Sequence, residues 1–113
     1  MLNLDQVGHP DAAGTILIEH DRGNRSAAND PASRALAERM AQLARQDGAK
    51  EVHLGPIYDS DYMPFEARGH TVAGLYESGK YAAYHRDDDT PEKLDYDYLR
   101  RTARLVLATL HEA

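Results

Sequence analysis

The chain has 113 residues, 42% of them hydrophobic and 28% charged, and no cysteine. That length makes a single domain, residues 1–113, with one modest core, and the missing cysteines exclude disulfide scaffolds, zinc ribbons and cysteine nucleophiles. Thirteen Lys and Arg against nineteen Asp and Glu leave a net charge of −6; with the cations scattered rather than clustered, a sequence-independent nucleic-acid binder is excluded.

In chain order, Leu2, Leu4 and Val7 among polar neighbours predict a strand over residues 1–8 that stops at Gly8-His9-Pro10-Asp11. The run Thr15-Ile16-Leu17-Ile18 reads as a strand covered on both faces. Residues 19–29, polar and glycine-bearing, read as a surface loop. Asp30 then serves as N-cap and Pro31 as first helical residue, and Leu36, Met40, Leu43 and Ala44 recur at helical spacing until Gly48 ends the helix. A short strand is expected over residues 51–54, and a polar turn through Asp59, Ser60 and Asp61 leads into a brief helix over residues 64–67 closed by Gly69. Another buried strand is expected over residues 70–76. A loop with Tyr81, Tyr84 and His85 follows, then Asp87, Asp88 and Asp89, whose place before a helix N-terminus accounts for their charge. Thr90-Pro91-Glu92 opens the last helix, with Leu99, Ala103, Val106 and Leu110 as its apolar stripe and Leu105 and Leu107 widening it. Strands alternating with helices argue an α/β layered fold. No apolar run approaches the roughly 20 residues of a membrane span, and the polar residues just after Met1 argue against a leader peptide, so a soluble chain is expected.

Open α/β sheets place their sites at strand ends, and three stretches there carry reactive side chains: Asp5, the Asp59-Ser60-Asp61 turn, and the Tyr84-His85 loop. Aspartate and neutral histidine suit zinc. Residue type alone leaves Asp5 open between metal ligand and turn residue, and His85 between ligand and ordinary loop histidine. The other histidines show no HExxH-like spacing, Tyr84 and Phe65 read by default as packing residues, and a Ser60-His85-Asp89 hydrolase lacks the Gly-x-Ser-x-Gly elbow.

Together these stretches resemble the two-zinc aminopeptidases, whose wider relatives include glutaminyl cyclases and transferrin-receptor-like proteins. Asn3-Leu4-Asp5-Gln6-Val7-Gly8 resembles that family's Asn-Leu-Asp-Met-Val/Ile-Gly strand end, with Gln6 in place of Met. Ser60-Asp61-Tyr62-Met63-Pro64-Phe65 is similar to its Ser-Asp-His/Tyr-x-Pro-Phe turn, and Tyr84-His85 followed by Asp89-Thr90-Pro91 and Lys93-Leu94-Asp95 to its Tyr-His…Asp-Thr-Pro-Asp-Lys-Leu-Asp signature. The resemblance implies the C-terminal part of a peptidase catalytic domain: a partial three-layer α/β/α sandwich with a mixed, mostly parallel sheet. It implies Asp5 as ligand to one zinc and His85 to the other. Tyr84 would face the developing oxyanion, and Asp61 would be a carboxylate supporting the metal ligands.

The family's His-x-Asp motif and its Glu-Glu pair, which supply further ligands and the general base, are expected to lie before residue 1. The resemblance therefore implies a truncated or degenerate piece, inactive by itself, with zinc bound weakly or not at all. The alternatives are a non-catalytic module that retains the fold and a cyclase-like acyl transferase. A peptide is the expected substrate of the parent enzyme, which could be secreted or periplasmic. A sheet cut in this way exposes an edge, so a homodimer paired along it is expected.

Overall fold

The computed structural model describes residues 1–112. Four strands and three α-helices alternate along the chain: β1 (Leu2–Asp5), β2 (Ile16–His20), α1 (Asp30–Gln46), β3 (Val52–Pro56), α2 (Met63–Glu66), β4 (Ala73–Glu77) and α3 (Tyr96–Glu112). The strands form one mixed sheet in the order β1-β4-β2-β3. The β1/β4 and β2/β3 pairs are parallel, and the central β2/β4 pair is antiparallel. The expected α/β fold with a mixed, mostly parallel sheet is what the chain adopts.

Period-two alternation assigns the faces. Ile16 and Ile18 of β2, Ala73 and Leu75 of β4 and Val52 of β3 pack in one core with Ala37, Met40, Ala41 and Ala44 of α1 and Tyr98 and Leu105 of α3. The opposite face carries Asn3, Asp5, Leu17, Glu19, Gly74 and Tyr76, in register across β1, β4 and β2. Only a small cluster of Ile57, Tyr62 and Val72, with Met63 against it, forms a second core. Leu17 is half-buried and Glu19 buried on that face, so β2 is covered on both faces, fully on one and less completely on the other.

Five expectations are corrected. Residues 19–29 are not simply a surface loop: Glu19 and His20 belong to β2, and Asp21 and Asn29 are buried. Glu66, also buried, accepts the Arg25 and Ser26 N–H groups at 2.7 and 2.6 Å and pins this segment to α2. Asp30 is the first residue of α1 rather than its cap, because the 3-10 turn Ala27–Asn29 runs into the helix and puts Asn29 at the N-cap. The buried face of α1 centres on Ser33, Ala37, Met40, Ala41 and Ala44, with Leu36 and Leu43 at its margins; small residues let the helix lie close to the sheet.

The last helix begins later than Thr90. Pro91–Lys93 makes a single 3-10 turn, Leu94 is extended, and the Asp95 carboxylate caps α3 by accepting the Tyr98 N–H at 2.8 Å. Its buried face is Tyr98, Thr102, Leu105 and Thr109. Of the expected stripe, Leu107 and Leu110 stay 68% and 59% exposed. The threonines are tolerated inside because their hydroxyls donate to the Leu99 and Leu105 carbonyls within the same helix. Tyr98 satisfies its own hydroxyl by donating to the Thr15 carbonyl at 3.0 Å.

Candidate functional site

β1 and β4 run parallel, with Asp5 opposite Tyr76, so the ends of both strands arrive at the same rim of the sheet. Just beyond Asp5, Gln6 takes a left-handed backbone conformation (φ 59°) and the chain turns toward β4. The Gln6 side chain accepts the Tyr76 hydroxyl at 3.3 Å, which gives a polar residue a function where the resembled family has methionine.

The carboxylate of Asp5 accepts the Ser60 hydroxyl at 2.6 Å, and Ser60 Oγ in turn accepts the Asn3 side-chain amide at 2.9 Å. These three residues come from two segments of the resembled motifs and close into one chain of hydrogen bonds. Ser60 therefore holds Asp5 in place, and no histidine is bonded to its hydroxyl. Asp61, its neighbour, is exposed and lines neither of the cavities next to Asp5.

Tyr84 and His85 sit on the segment after β4. His85 is exposed, has φ 57°, and stacks on Tyr84 with ring centroids 3.8 Å apart. Glu77, buried at the end of β4, anchors this region: one of its oxygens accepts the Gly8 and His9 N–H groups at 3.1 and 2.9 Å and lies 3.1 Å from His9 Nδ1. The His9 ring stacks on Tyr81 at 3.4 Å, and the Tyr81 hydroxyl donates to Asp89. Gly79 is required here, because a Cβ at that position would run into the His9 and Pro10 carbonyl groups. A relay from Glu77 through His9 and Tyr81 to Asp89 thus positions the loop that presents Tyr84 and His85. Asp88 pairs with Arg86 and Lys93 at the surface.

Two cavities meet at Asp5, Gln6 and Tyr84. The first, about 300 Å³, is lined by Asp5 and His85 together with His9, Glu77 and Asp89. The second, about 460 Å³, contains Glu19, Asp59 and Ser60 and the rings of Tyr58, Tyr62, Tyr76 and Tyr84. Glu19 is 7% exposed. Burial pushes its carboxyl up to about 7, offset in part by the Tyr62 hydroxyl and reinforced by the nearby Asp5 charge. The Tyr62 hydroxyl, itself pushed up to about 12 chiefly by burial, accepts the Tyr58 N–H at 2.8 Å and reaches Glu19 at 3.4 Å.

The fold brings Asp5 and His85, distant in sequence, to the walls of one cavity. It does not gather more than that: among the described residues, no group of three His, Cys, Asp or Glu side chains is placed to hold a metal ion. Zinc prefers four coordinating positions, three of them from protein even at a catalytic centre. The donor set does not fit a zinc site built from these residues alone. His9-Pro10-Asp11 has the spelling of a His-x-Asp motif, yet Asp11 is occupied with the Thr15 hydroxyl and the Ala13 and Thr15 N–H groups.

Sequence reading missed Glu19, Glu77 and His9. Glu19 stands one residue past an apolar run, and the signal for it was Gly74, a glycine inside a buried strand that marks a close approach. No local pattern marks the Glu77–His9 pair, because it joins residues from two strand ends.

The family model of peptidase family M28 matches residues 1–110. No curated protein and no solved structure matches the chain. Since that match runs through the β1 end, the Ser60 turn and the Tyr84-His85 loop alike, the chain belongs to peptidase family M28.

Proposed function

We propose that this chain contributes to a metal-dependent aminopeptidase that uses two zinc ions to hydrolyse N-terminal peptide bonds, and that these residues are inactive by themselves. M28 is a family of metallopeptidases, in general zinc-dependent. The observation that carries the reading is the shared cavity of Asp5 and His85, with Tyr84 lining both it and the second cavity. In this reading Asp5 and His85 are the two side chains the chain offers to metal, with the remaining ligands and the general base supplied from outside these residues. Tyr84 directs its hydroxyl at the carbonyl oxygen of the scissile bond, where charge develops as the carbon becomes tetrahedral. Ser60 orients Asp5, and Asp61 adds negative potential from the adjoining turn.

Hydrolysis of aminoacyl amides by the purified chain, with and without added zinc, tests this directly: no turnover is expected, and robust turnover overturns the inactivity. Zinc titration is expected to give only weak binding that His85→Ala weakens further. Tight stoichiometric binding that survives His85→Ala removes that residue from the proposal.

A second reading, a non-catalytic module that retains the peptidase fold, is favoured by the lack of a three-ligand group among the described residues. A zinc-loaded chain that binds peptides yet never hydrolyses them, even when joined to the rest of an M28 catalytic domain, is its expected signature. We also propose that two copies pair through an exposed strand edge, β1 and β3 being the outer strands of the sheet.

A further inference from the structure

Beyond Asp5, Ser60 and Tyr84, the second cavity holds residues that the hydrolytic reading does not use. Three carboxylates, those of Asp5, Glu19 and Asp59, and four tyrosine rings line it, and no basic side chain does so among the described residues. Glu19 is the deepest of the acids. One of its oxygens is reached by the Tyr62 hydroxyl at 3.4 Å, and the other, Oε2, is buried without a hydrogen-bond partner. A buried carboxylate with no counter-charge is costly, and its raised pKa records that cost.

The backbone is shaped to keep Glu19 there. Gly74 of β4 lies directly opposite it, and a Cβ at that position would stand 2.6 Å from Oε2 and 3.3 Å from the Tyr62 ring. The absent side chain is the cradle in which the carboxylate rests. An acid enclosed by aromatic walls is suited to a cation, since tyrosine faces attract positive charge and cover an alkyl stem while the carboxylate meets the charged head.

We propose that this cavity receives the cationic side chain of a peptide's first residue, lysine or arginine, with Glu19 as its counter-ion and the tyrosines as its walls. The placement as first residue rests on the aminopeptidase reading. Spacing distinguishes a side chain from the substrate's α-ammonium group. Asp5 and Glu19 stand on β1 and β2 with β4 between them and two residues out of register, so their backbones lie roughly 12 Å apart. An α-ammonium is one carbon from the scissile carbonyl, so a carbonyl facing the Tyr84 hydroxyl keeps it at the Asp5 and Tyr84 end of the cavity, while Glu19 lies two strands away. A long basic side chain spans that gap, and a cavity of about 460 Å³ has room for its stem.

The test uses the whole chain and measures binding rather than hydrolysis. Lysinamide, norleucinamide and 1,5-diaminopentane are titrated by calorimetry, with the amide resonances of Gly74 and Tyr62 followed by NMR. Norleucinamide carries the same α-ammonium and the same four-carbon stem without the terminal charge. Lysinamide is expected to bind about tenfold more tightly than norleucinamide, to shift the Gly74 and Tyr62 resonances, and to lose that advantage in Glu19→Gln. Equal affinity for the two amides, no binding of either at millimolar concentration, or a preference that survives Glu19→Gln overturns the proposal. Should Glu19→Gln abolish binding of 1,5-diaminopentane while lysinamide binds no better than the diamine, the cation cavity stands and the aminopeptidase reading loses its support. Norleucinamide comparison on the unaltered chain keeps the result decisive if the variant folds poorly.

Discussion

Glu19 and Gly74 form the pair on which single substitutions are most informative. Gly74→Ala places a methyl group within 2.6 Å of the Glu19 carboxylate, and overpacking of this kind costs about 1–3 kcal/mol. A lower denaturant midpoint with unchanged m-value is the expected outcome. Glu19 also sets a pH dependence. Below its ordinary value of 4.5 the carboxyl is protonated in folded and unfolded chains alike, and burial adds no charge penalty. Between 4.5 and about 7 the unfolded chain ionises first, so stability falls as pH rises, and the loss is complete above about 7. The loss is at most on the order of 3 kcal/mol. Thermal melts at pH 4.5 and pH 8 are expected to show it in the native chain and not in Glu19→Gln, which should be the more stable of the two at pH 8. An identical pH slope in both proteins would show that Glu19 is ionised without penalty. Ser60→Ala removes the donor that holds Asp5 and is expected to lower stability by about 1 kcal/mol, read as a shift in the urea midpoint.

At the scale of elements, strand and helix content was legible because alternation and helical spacing are local properties. The apolar run Thr15-Ile16-Leu17-Ile18 is a readable strand, though not the Glu19 and His20 that extend it, and Gly48 and Gly69, with φ of 92° and 80°, end their helices where their sequence positions predict. The start of α3 was not legible. Thr90-Pro91-Glu92 has the features of a helix N-terminus and does form one turn, but Leu94 is extended with its side chain against Gly8, where a Cβ would meet it, and the Asp95 N–H donates to the Gly8 carbonyl at 2.9 Å. Contact with the turn after β1 overrides the local signal and transfers the cap to Asp95. Asp95→Ala should therefore cost about 1 kcal/mol, whereas Thr90→Ala, at a residue whose side chain makes no cap hydrogen bond, should be close to neutral; chemical denaturation of both variants checks the order.

For the whole molecule, the layering bears on association. Helices α1 and α3 cover one face of the sheet, while the other is covered only in part, by α2 and the Tyr62 segment. Leu4 on the outer strand β1 is 44% exposed, and unpaired edges invite pairing with another chain. Light scattering is expected to give a mass that rises toward a dimer with concentration, and Leu4→Lys, which puts a charge on that edge, is expected to return it to the monomer. A constant monomer mass up to millimolar concentration counts against edge pairing.

The sequence by itself determined the layered α/β class, the order of strands and helices and the three stretches that carry the family resemblance, because each depends on residues near one another in the chain. Only the tertiary structure decided which of those stretches share a wall. It joined Ser60 to Asp5, brought His85 to the same cavity, left Asp61 at the surface, and set the unmatched Glu19 against Gly74 beside four tyrosines. Strand order is the physical reason: β4, late in the chain, inserts between β1 and β2, and no spacing along the sequence encodes which side chains that insertion turns toward one another.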